Sequence, residues 1–407
     1  MANADPVFPL FSDLEYHRCV FFLLPAASGK PPQADPWPPG FVEAVNGAWN
    51  WLGQPGKAPL RQELPGTLHA SVRLLAGAGG WVQHQDLLYG VEARTLADTC
   101  YLQLSVAREG QVASDLPQKL QAASPALHAT AALGEAGYWF VEFVVLPQEQ
   151  PERAQQEAVA QAQALFQLAP EELVQLPLPG GLVLLHPEKL VAYALLAREE
   201  QGALGLELHR LLPALLLNLL KVRRVSDEYH QLKAKVLLEE QVLERLMERA
   251  RGAQALSIEE IERQAVELAR AQAEFLEAIS DLEEWLHTLT VARDNLQRLM
   301  RLWSWDRLGE QAERLVAPVQ LWVDQLTSDL RYFHITRQQA DLHLASLDTA
   351  ATARSARWGR KITLLVSLFA ALQLVQVFPE LSIGGRLLLA GVAATVLILG
   401  SMYLERR

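Results

Sequence analysis

Two long apolar runs near the C-terminal end dominate the hydropathy pattern of this chain. Ile362–Phe378 and Leu387–Leu404 contain no charged residue, and neither shows the polar face that helices of soluble proteins carry. Each run is about 18 residues long and reaches about 26 Å as a helix, close to the roughly 30 Å of a bilayer's hydrocarbon core. The pattern predicts two transmembrane helices joined by a short loop. The alternative is a helical hairpin buried in a large soluble core.

Basic residues flank both ends of this hairpin. They are Arg354, Arg357, Arg360 and Lys361 before the first run, and Arg406 and Arg407 after the second. The loop between the runs holds one Glu and one Arg. Because basic flanks stay on the cytoplasmic side, the pattern predicts a multi-pass protein of the cell inner (plasma) membrane. Its N- and C-termini are expected to be cytoplasmic and the loop outside.

A heptad pattern precedes the apolar runs. Between Ile261 and Trp303, apolar residues recur at alternating spacings of four and three, interrupted only by Gln272 and Arg293. The members of this seam are Ile261, Ala265, Leu268, Gln272, Phe275, Ile279, Leu282, Leu286, Leu289, Arg293, Leu296, Met300 and Trp303. Such a stripe predicts a long helix that pairs along its length, as in a coiled coil.

Two further helices are expected beside this one. Ser257 followed by Glu260 has the pattern of a capping box at the start of the seam helix, and an earlier helix is expected from about Leu206. The later helix begins near Asp306 or Gly309. Its apolar stripe consists of Val319, Trp322, Leu326, Leu330, Phe333, Ala340, Leu344 and Leu347. Since no proline follows before the first apolar run, this helix is expected to continue into the membrane.

Residues 1 to about 200 show a different pattern, with short apolar segments separated by turn residues. Strands are predicted at residues 17–24, 69–77, 82–93, 99–108, 137–146 and 182–186, and helices at 40–53 and 151–167. Three consecutive strands with short links favour an antiparallel meander. The proline-rich segment 25–39 is expected to be an exposed loop.

The predicted fold therefore has three parts. Residues 1–205 form an α+β cytoplasmic N-terminal domain. Residues 206–357 form a long helical coiled-coil stalk. Residues 358–407 form a C-terminal two-helix transmembrane hairpin with a cytoplasmic basic tail.

Charge and cysteine content narrow the function classes. With 36 Lys and Arg against 47 Asp and Glu, the net charge is −11. This balance argues against a nucleic-acid binder, which would carry a basic stripe. Cys19 and Cys100 are the two cysteines of the chain, and two distant cysteines favour reduced thiols over a disulfide framework.

Few residues carry recognisable chemistry. The chain has no phosphate-binding glycine loop, no HExxH motif and no paired-cysteine ligand set. His17 and Cys19 alternate on a predicted strand and could share a face with a catalytic partner, although a buried structural pair is commoner. Glu284 and His287 have the spacing of a helix-borne metal pair, but a di-iron bundle needs two such motifs. The sequence predicts no enzymatic activity and no cofactor, and it leaves the metal ligands unknown.

The order of elements in residues 206–407 resembles the CorA-like divalent cation transporter superfamily. Phe378-Pro379-Glu380-Leu381 in the outer loop is similar to the Met-Pro-Glu-Leu segment of that family, and residues 403–407 resemble its basic end. The resemblance implies a homo-oligomer, a pentamer in that family, around a cation pathway. It also implies that acidic stalk surfaces could bind a regulatory divalent cation.

The chain departs from that family at the pore mouth. CorA proteins carry Gly-Met-Asn there, and its asparagine amides and backbone carbonyls meet hydrated magnesium. At the family's spacing from Pro379, this chain has Leu372-Gln373-Leu374. Leu374 offers no oxygen ligand and would form an apolar ring that gates by dewetting. Thr363 and Ser367, on one face of the same helix, either line the pore or hydrogen-bond to their own helix or a neighbouring one.

These patterns lead to a functional expectation with two alternatives. The first expectation is a gated cation channel or transporter with a divergent filter, inserted in membrane lipid. Its cytoplasmic domain would sense an unknown ligand or protein and would bind no nucleic acid. One alternative is a membrane-anchored signalling or antiviral-defence effector that permeabilises the membrane on a trigger. The other is a soluble module merely tethered by the hairpin.

Overall fold

A computed structural model describes residues 11–23, 40–51, 73–84, 87–96, 99–109, 115–123, 133–145, 150–198, 201–251 and 256–377, with short pieces at 391–392 and 395–396. Its strands are β1 (Phe11–Leu23), β2 (Arg73–His84), β3 (Leu87–Leu96), β4 (Thr99–Glu109), β5 (Gly134–Phe143), β6 (Val174–Leu178), β7 (Gly181–His186) and β8 (Val191–Ala197). Its α-helices are α1 (Phe41–Trp51), α2 (Leu116–Ala123), α3 (Pro151–Phe166), α4 (Gln201–Ala250), α5 (Ile258–Leu302) and α6 (Glu310–Val377). The predicted N-terminal domain of mixed α and β structure, followed by long helices, is confirmed.

The strands of the described residues form one eight-stranded sheet in the order β2-β3-β4-β1-β5-β8-β7-β6. β2, β3 and β4 form an antiparallel meander, as predicted. β5 and β8 pair in parallel, whereas the other neighbours pair antiparallel. Because β1 lies between β4 and β5, it occupies the middle of the sheet and is covered on both faces.

Several predicted strand boundaries were wrong. The segment 82–93 was predicted to be one strand, but β2 ends at His84 and β3 begins at Leu87. The glycines before Trp81 look like the end of a strand, yet β2 continues through them with a shift of register between Leu74 and Gly79. Strands β6 and β8 and the short helix α2 were not predicted. The predicted loop 25–39 lies outside the described residues.

The two faces of the sheet have different covers. One face packs against α1, α2 and α3 in a core that includes Leu14, Val20, Trp49, Leu102 and Leu184. α4 lies on the other face. It packs closely on β5 there, since a Cβ atom added at Gly134 would come within 2.6 Å of the Leu220 side chain. This second face holds the polar residues described below.

The chain divides into two compact units. The first comprises Met1–His230 with Glu284–Thr327, and the second Gln231–Glu283 with Ser328–Arg407. The first unit thus contains the sheet and the beginning of α4. Within this unit the Trp305 indole N–H donates a hydrogen bond to the Pro177 carbonyl at 2.7 Å, which joins the segment between α5 and α6 to strand β6.

The heptad seam of α5 is buried as predicted. Seam residues Ile261, Leu268, Phe275, Ile279 and Leu282 are all at most 1% exposed. The polar interruption at Gln272 is satisfied within the second unit, where its amide donates to Asp341 Oδ1 at 2.6 Å. Polar seam positions of this kind fix which residues face each other along a helix pair.

The predicted capping box also forms. The Glu260 backbone N–H donates to Ser257 Oγ at 3.2 Å, and the Ser257 backbone N–H donates to a Glu260 carboxylate oxygen at 2.8 Å. The two residues thereby satisfy reciprocal donors at the first turn of α5.

The last helix is continuous, as expected. α6 runs for 68 residues from Glu310 to Val377 and contains Pro318 near its start. Within the described parts of the chain, no helix is both long enough and apolar enough to cross a membrane. Most of the second apolar run, 387–404, lies outside the described residues.

Candidate functional site

A row of polar side chains occupies the centre of the sheet face that α4 covers. Along β1, successive side chains point to opposite faces, so Glu15 and His17 share the face opposite to Leu14. The register places His17 beside Ser105 of β4 and Tyr138 of β5. These three residues therefore meet on three adjacent strands, beneath the first turns of α4.

His17 is fully buried and held from both sides of its ring. Nδ1 lies 2.7 Å from Ser105 Oγ, and the ring stacks on Tyr138 with centroids 4.6 Å apart. Nε2 lies 3.3 Å from Glu15 Oε2, within ion-pair distance, yet it makes no hydrogen bond. A buried imidazole nitrogen without a hydrogen bond is uncommon and marks a position that needs a functional explanation.

A second histidine reaches the same place from α4. The ring of His209 lies 5.0 Å from that of His17, at an angle of 89°, and packs on Phe140 at 4.3 Å. Its Nδ1 is 3.4 Å from the hydroxyl of Tyr138, which itself donates to Gln103 Oε1 at 3.0 Å. Burial, reinforced by the nearby His17, lowers the pKa of His209 to about 3. His209 is therefore neutral at physiological pH, with a lone pair available.

Glu15 supplies a carboxylate to this group. Its side chain is 35% exposed, at the boundary between the buried row and solvent. Burial raises the pKa of Glu15, but the nearby imidazoles of His17 and His209 outweigh burial, and the pKa lies below its ordinary value. The carboxylate is thus ionised. One potential ligand atom from each of Glu15, His17 and His209 lies within 4.8 Å of the other two.

Two clefts give solvent access to the cluster of Glu15, His17 and His209. One, of about 300 Å³, is lined by His209 together with Trp81, Arg94 and Arg210. The other, of about 260 Å³, is lined by Glu15, His209 and Glu142, among others. A small ion or molecule can therefore reach the cluster without unfolding of the sheet.

The cluster does not have the arrangement of a nucleophilic enzyme. Ser105, His17 and Glu15 do follow one another as hydroxyl, imidazole and carboxylate, the three groups of a serine-type triad. Ser105 is fully buried in the middle of β4, however, where no substrate can reach its hydroxyl. Cys19 is also fully buried, and burial raises the pKa of its thiol far above the ordinary value, so it is not a thiolate.

The predicted pore residues lie on α6 or beyond it. Thr363 donates its hydroxyl to the Gly359 carbonyl of its own helix at 2.9 Å. Ser367 is 6% exposed. The backbone of Leu372, Gln373 and Leu374 belongs to α6, but their side chains are outside the described residues, as is the loop of Phe378, Pro379, Glu380 and Leu381.

The helix-borne pair is not part of any metal-ligating group in the described parts of the chain. Glu284 and His287 are both exposed on α5. The only such group there is the one formed by Glu15, His17 and His209.

Sequence reasoning singled out His17 but missed its two partners. Glu15 could have been found, since a residue two positions away on a strand shares its face. His209 lies in an apolar helical segment far along the chain, and no local signal connects it with β1.

A scan against protein-family models and a search of curated proteins both find no match to this chain.

Proposed function

We propose that this chain is a CorA-like, homo-oligomeric protein of the inner membrane that forms a gated cation pathway. The observation that carries the proposal is the exposed apolar surface at the end of α6. Its exposed side chains, each between 46% and 67% exposed, are Ile362, Leu364, Leu365, Val366 and Phe369. Consecutive helical residues point about 100° apart, so apolar groups surround this part of the helix and favour a lipid environment.

A second apolar surface on α6 supports assembly of several copies. Ile335 and Leu342 are seven residues apart and are 51% and 72% exposed. They lie roughly opposite to the buried positions Phe333 and Ala340, which face the helix partners of their own chain. Exposed apolar positions at heptad spacing fit a helix partner from another copy. The family resemblance puts the number of copies at five.

The triplet Leu372-Gln373-Leu374 shapes the proposed pathway. With Leu374 at the pore mouth, the pathway has an apolar constriction in place of an oxygen-lined filter, and its resting state is closed by dewetting. Magnesium keeps its hydration water tightly, so this constriction does not favour magnesium selectivity. The same apolar closure also suits the second candidate function, a defence or signalling effector that opens only on a trigger.

The test is cation leak through liposomes that contain the purified full chain. Leu374→Asn should raise the basal leak of potassium several-fold over the wild type, because an amide ring hydrates the constriction. The matched control is Leu365→Asn, nine residues earlier and about 180° around the same helix, which should leave the leak unchanged. Equal leak in Leu374→Asn, Leu365→Asn and the wild type would contradict a pathway at Leu374 and favour the tethered module.

A further inference from the structure

We propose that Glu15, His17 and His209 bind one divalent transition-metal ion, with zinc the best-suited metal, and thereby join β1 to α4. This site lies in the sheet domain and is independent of the cation pathway proposed above. The inference rests on the ligand geometry and on the buried nitrogen of His17 that lacks a hydrogen bond.

The donor atoms suit zinc. Two neutral imidazoles and one carboxylate form a ligand set that recurs at zinc sites which keep one coordination position open. Magnesium and calcium prefer sites built from oxygen ligands alone. The three donor atoms come close enough to share one ion, since each lies within 4.8 Å of the other two.

The spacing of the donors needs only a small adjustment. Ligand atoms held tetrahedrally at about 2.1 Å from zinc lie about 3.4 Å apart. The separation of His17 Nε2 from Glu15 Oε2, 3.3 Å, already matches this value. The widest separation in the group is within 4.8 Å, so closure requires a shift of roughly 1 Å. His209 lies on the first turns of α4 and borders both clefts, and it has room for this movement.

The outer hydrogen bonds orient both imidazoles. Metal-binding histidines usually donate their second ring N–H to a neighbouring oxygen, which fixes the tautomer. Here Ser105 Oγ is 2.7 Å and Gln103 Nε2 is 3.3 Å from His17 Nδ1, and the Tyr138 hydroxyl is 3.4 Å from His209 Nδ1. In the tautomer in which His17 Nδ1–H donates to Ser105 Oγ, the buried Nε2 of His17 is left to bind the ion.

The fourth coordination position of the ion would be open to solvent. Glu15 and His209 line the cleft of about 260 Å³, so the side of the ion that faces this cleft is accessible to water or a small anionic ligand. The ion would thus both fix α4 on the sheet and offer a binding point in the domain for which the sequence predicts a ligand.

The experiment uses the full chain in mild detergent, stripped with a chelator and then titrated with Zn²⁺ or Co²⁺. We expect one equivalent of metal by elemental analysis, visible d–d absorption from bound Co²⁺, and a rise in Tm with Zn²⁺ that Mg²⁺ does not produce. Glu15→Gln, which keeps the side-chain size, and His209→Ala, at a half-buried position of α4, should each weaken Zn²⁺ binding by more than about tenfold.

His186→Ala is the matched control. His186 is also a buried histidine beside a glutamate, with Nε2 3.0 Å from Glu172 Oε2, but it has no third ligand nearby among the described residues. This variant should bind Zn²⁺ like the wild type. Absence of Zn²⁺ binding by the wild type, or unchanged affinity in folded Glu15→Gln and His209→Ala, would overturn the proposal. Neither outcome bears on the leak measured in liposomes.

Discussion

Leu282→Glu should unfold the second compact unit, which contains the first half of the α5 seam. Leu282 is fully buried at the centre of the seam. The seam positions next to it are apolar, so a carboxylate introduced there has no cation in the seam with which to pair. Burial of such an unpaired charge costs several kcal/mol, on the order of 3–5 kcal/mol. This is a large share of the 5–15 kcal/mol typical of a folded domain. The expected result is a strong loss of helical circular dichroism and a much lower urea midpoint.

Val266→Glu provides the control for this change. Val266 is on the same helix but is 70% exposed, so the introduced carboxylate stays in water, and the urea midpoint should move little. If Leu282→Glu retained the midpoint of the wild type, the seam would not be the contact that holds these helices together.

Ile335→Glu combined with Leu342→Glu should abolish assembly while each chain stays folded. Both side chains are more than half exposed within a single chain, so the substitutions bury no charge in its own core. In the proposed oligomer, the same carboxylates would meet copies of themselves or apolar neighbours at every interface. Native mass spectrometry in mild detergent should show pentamers for the wild type and monomers for the double variant, with unchanged helical circular dichroism.

Arg337→Glu is a suitable control for the assembly test. Arg337 is exposed on the same helix and lies about 160° around it from Ile335. Its replacement by Glu makes the charge more negative by two units, as the double variant does, and this variant should remain pentameric. Equal assembly of the double variant and this control would remove the α6 surface from the proposed interface.

The long helices could be predicted from the sequence because the heptad spacing of their apolar residues indicates helix without ambiguity. The seam from Ile261 to Trp303 continues over many turns, and the capping residues Ser257 and Glu260 mark its start. A period that is repeated this often leaves little ambiguity between helix and strand. The burial of the polar seam residue Gln272 could be inferred from its position, although its partner Asp341 could not.

The strands were harder to predict because their local signals conflict. β6 contains Pro177, which argues against a strand in general, but β6 is the edge strand of the sheet and proline is tolerated there. β8, with the sequence VAYALLA, is apolar without alternation and has residues that also favour helices. Its parallel pairing with β5 between two covered faces explains this composition.

The candidate site was only partly predictable. His17 and Glu15 lie on one strand, and their shared face follows from alternation. The third member, His209, comes from a helix far along the chain, and only the packing of α4 on the sheet brings it to His17. Sites assembled across distant segments depend on tertiary structure and leave no spacing motif in the sequence.

The most direct test of the membrane account is labelling of single cysteines with an impermeant maleimide in intact cells. Native Cys19 and Cys100 are fully buried and should not react in the folded protein. We predict that Ser382→Cys, in the loop between the apolar runs, is labelled from outside. Ser355→Cys, on the exposed basic flank before the first run, should be labelled only after the cells are permeabilised. Labelling of position 355 but not 382 in intact cells would contradict the proposed insertion.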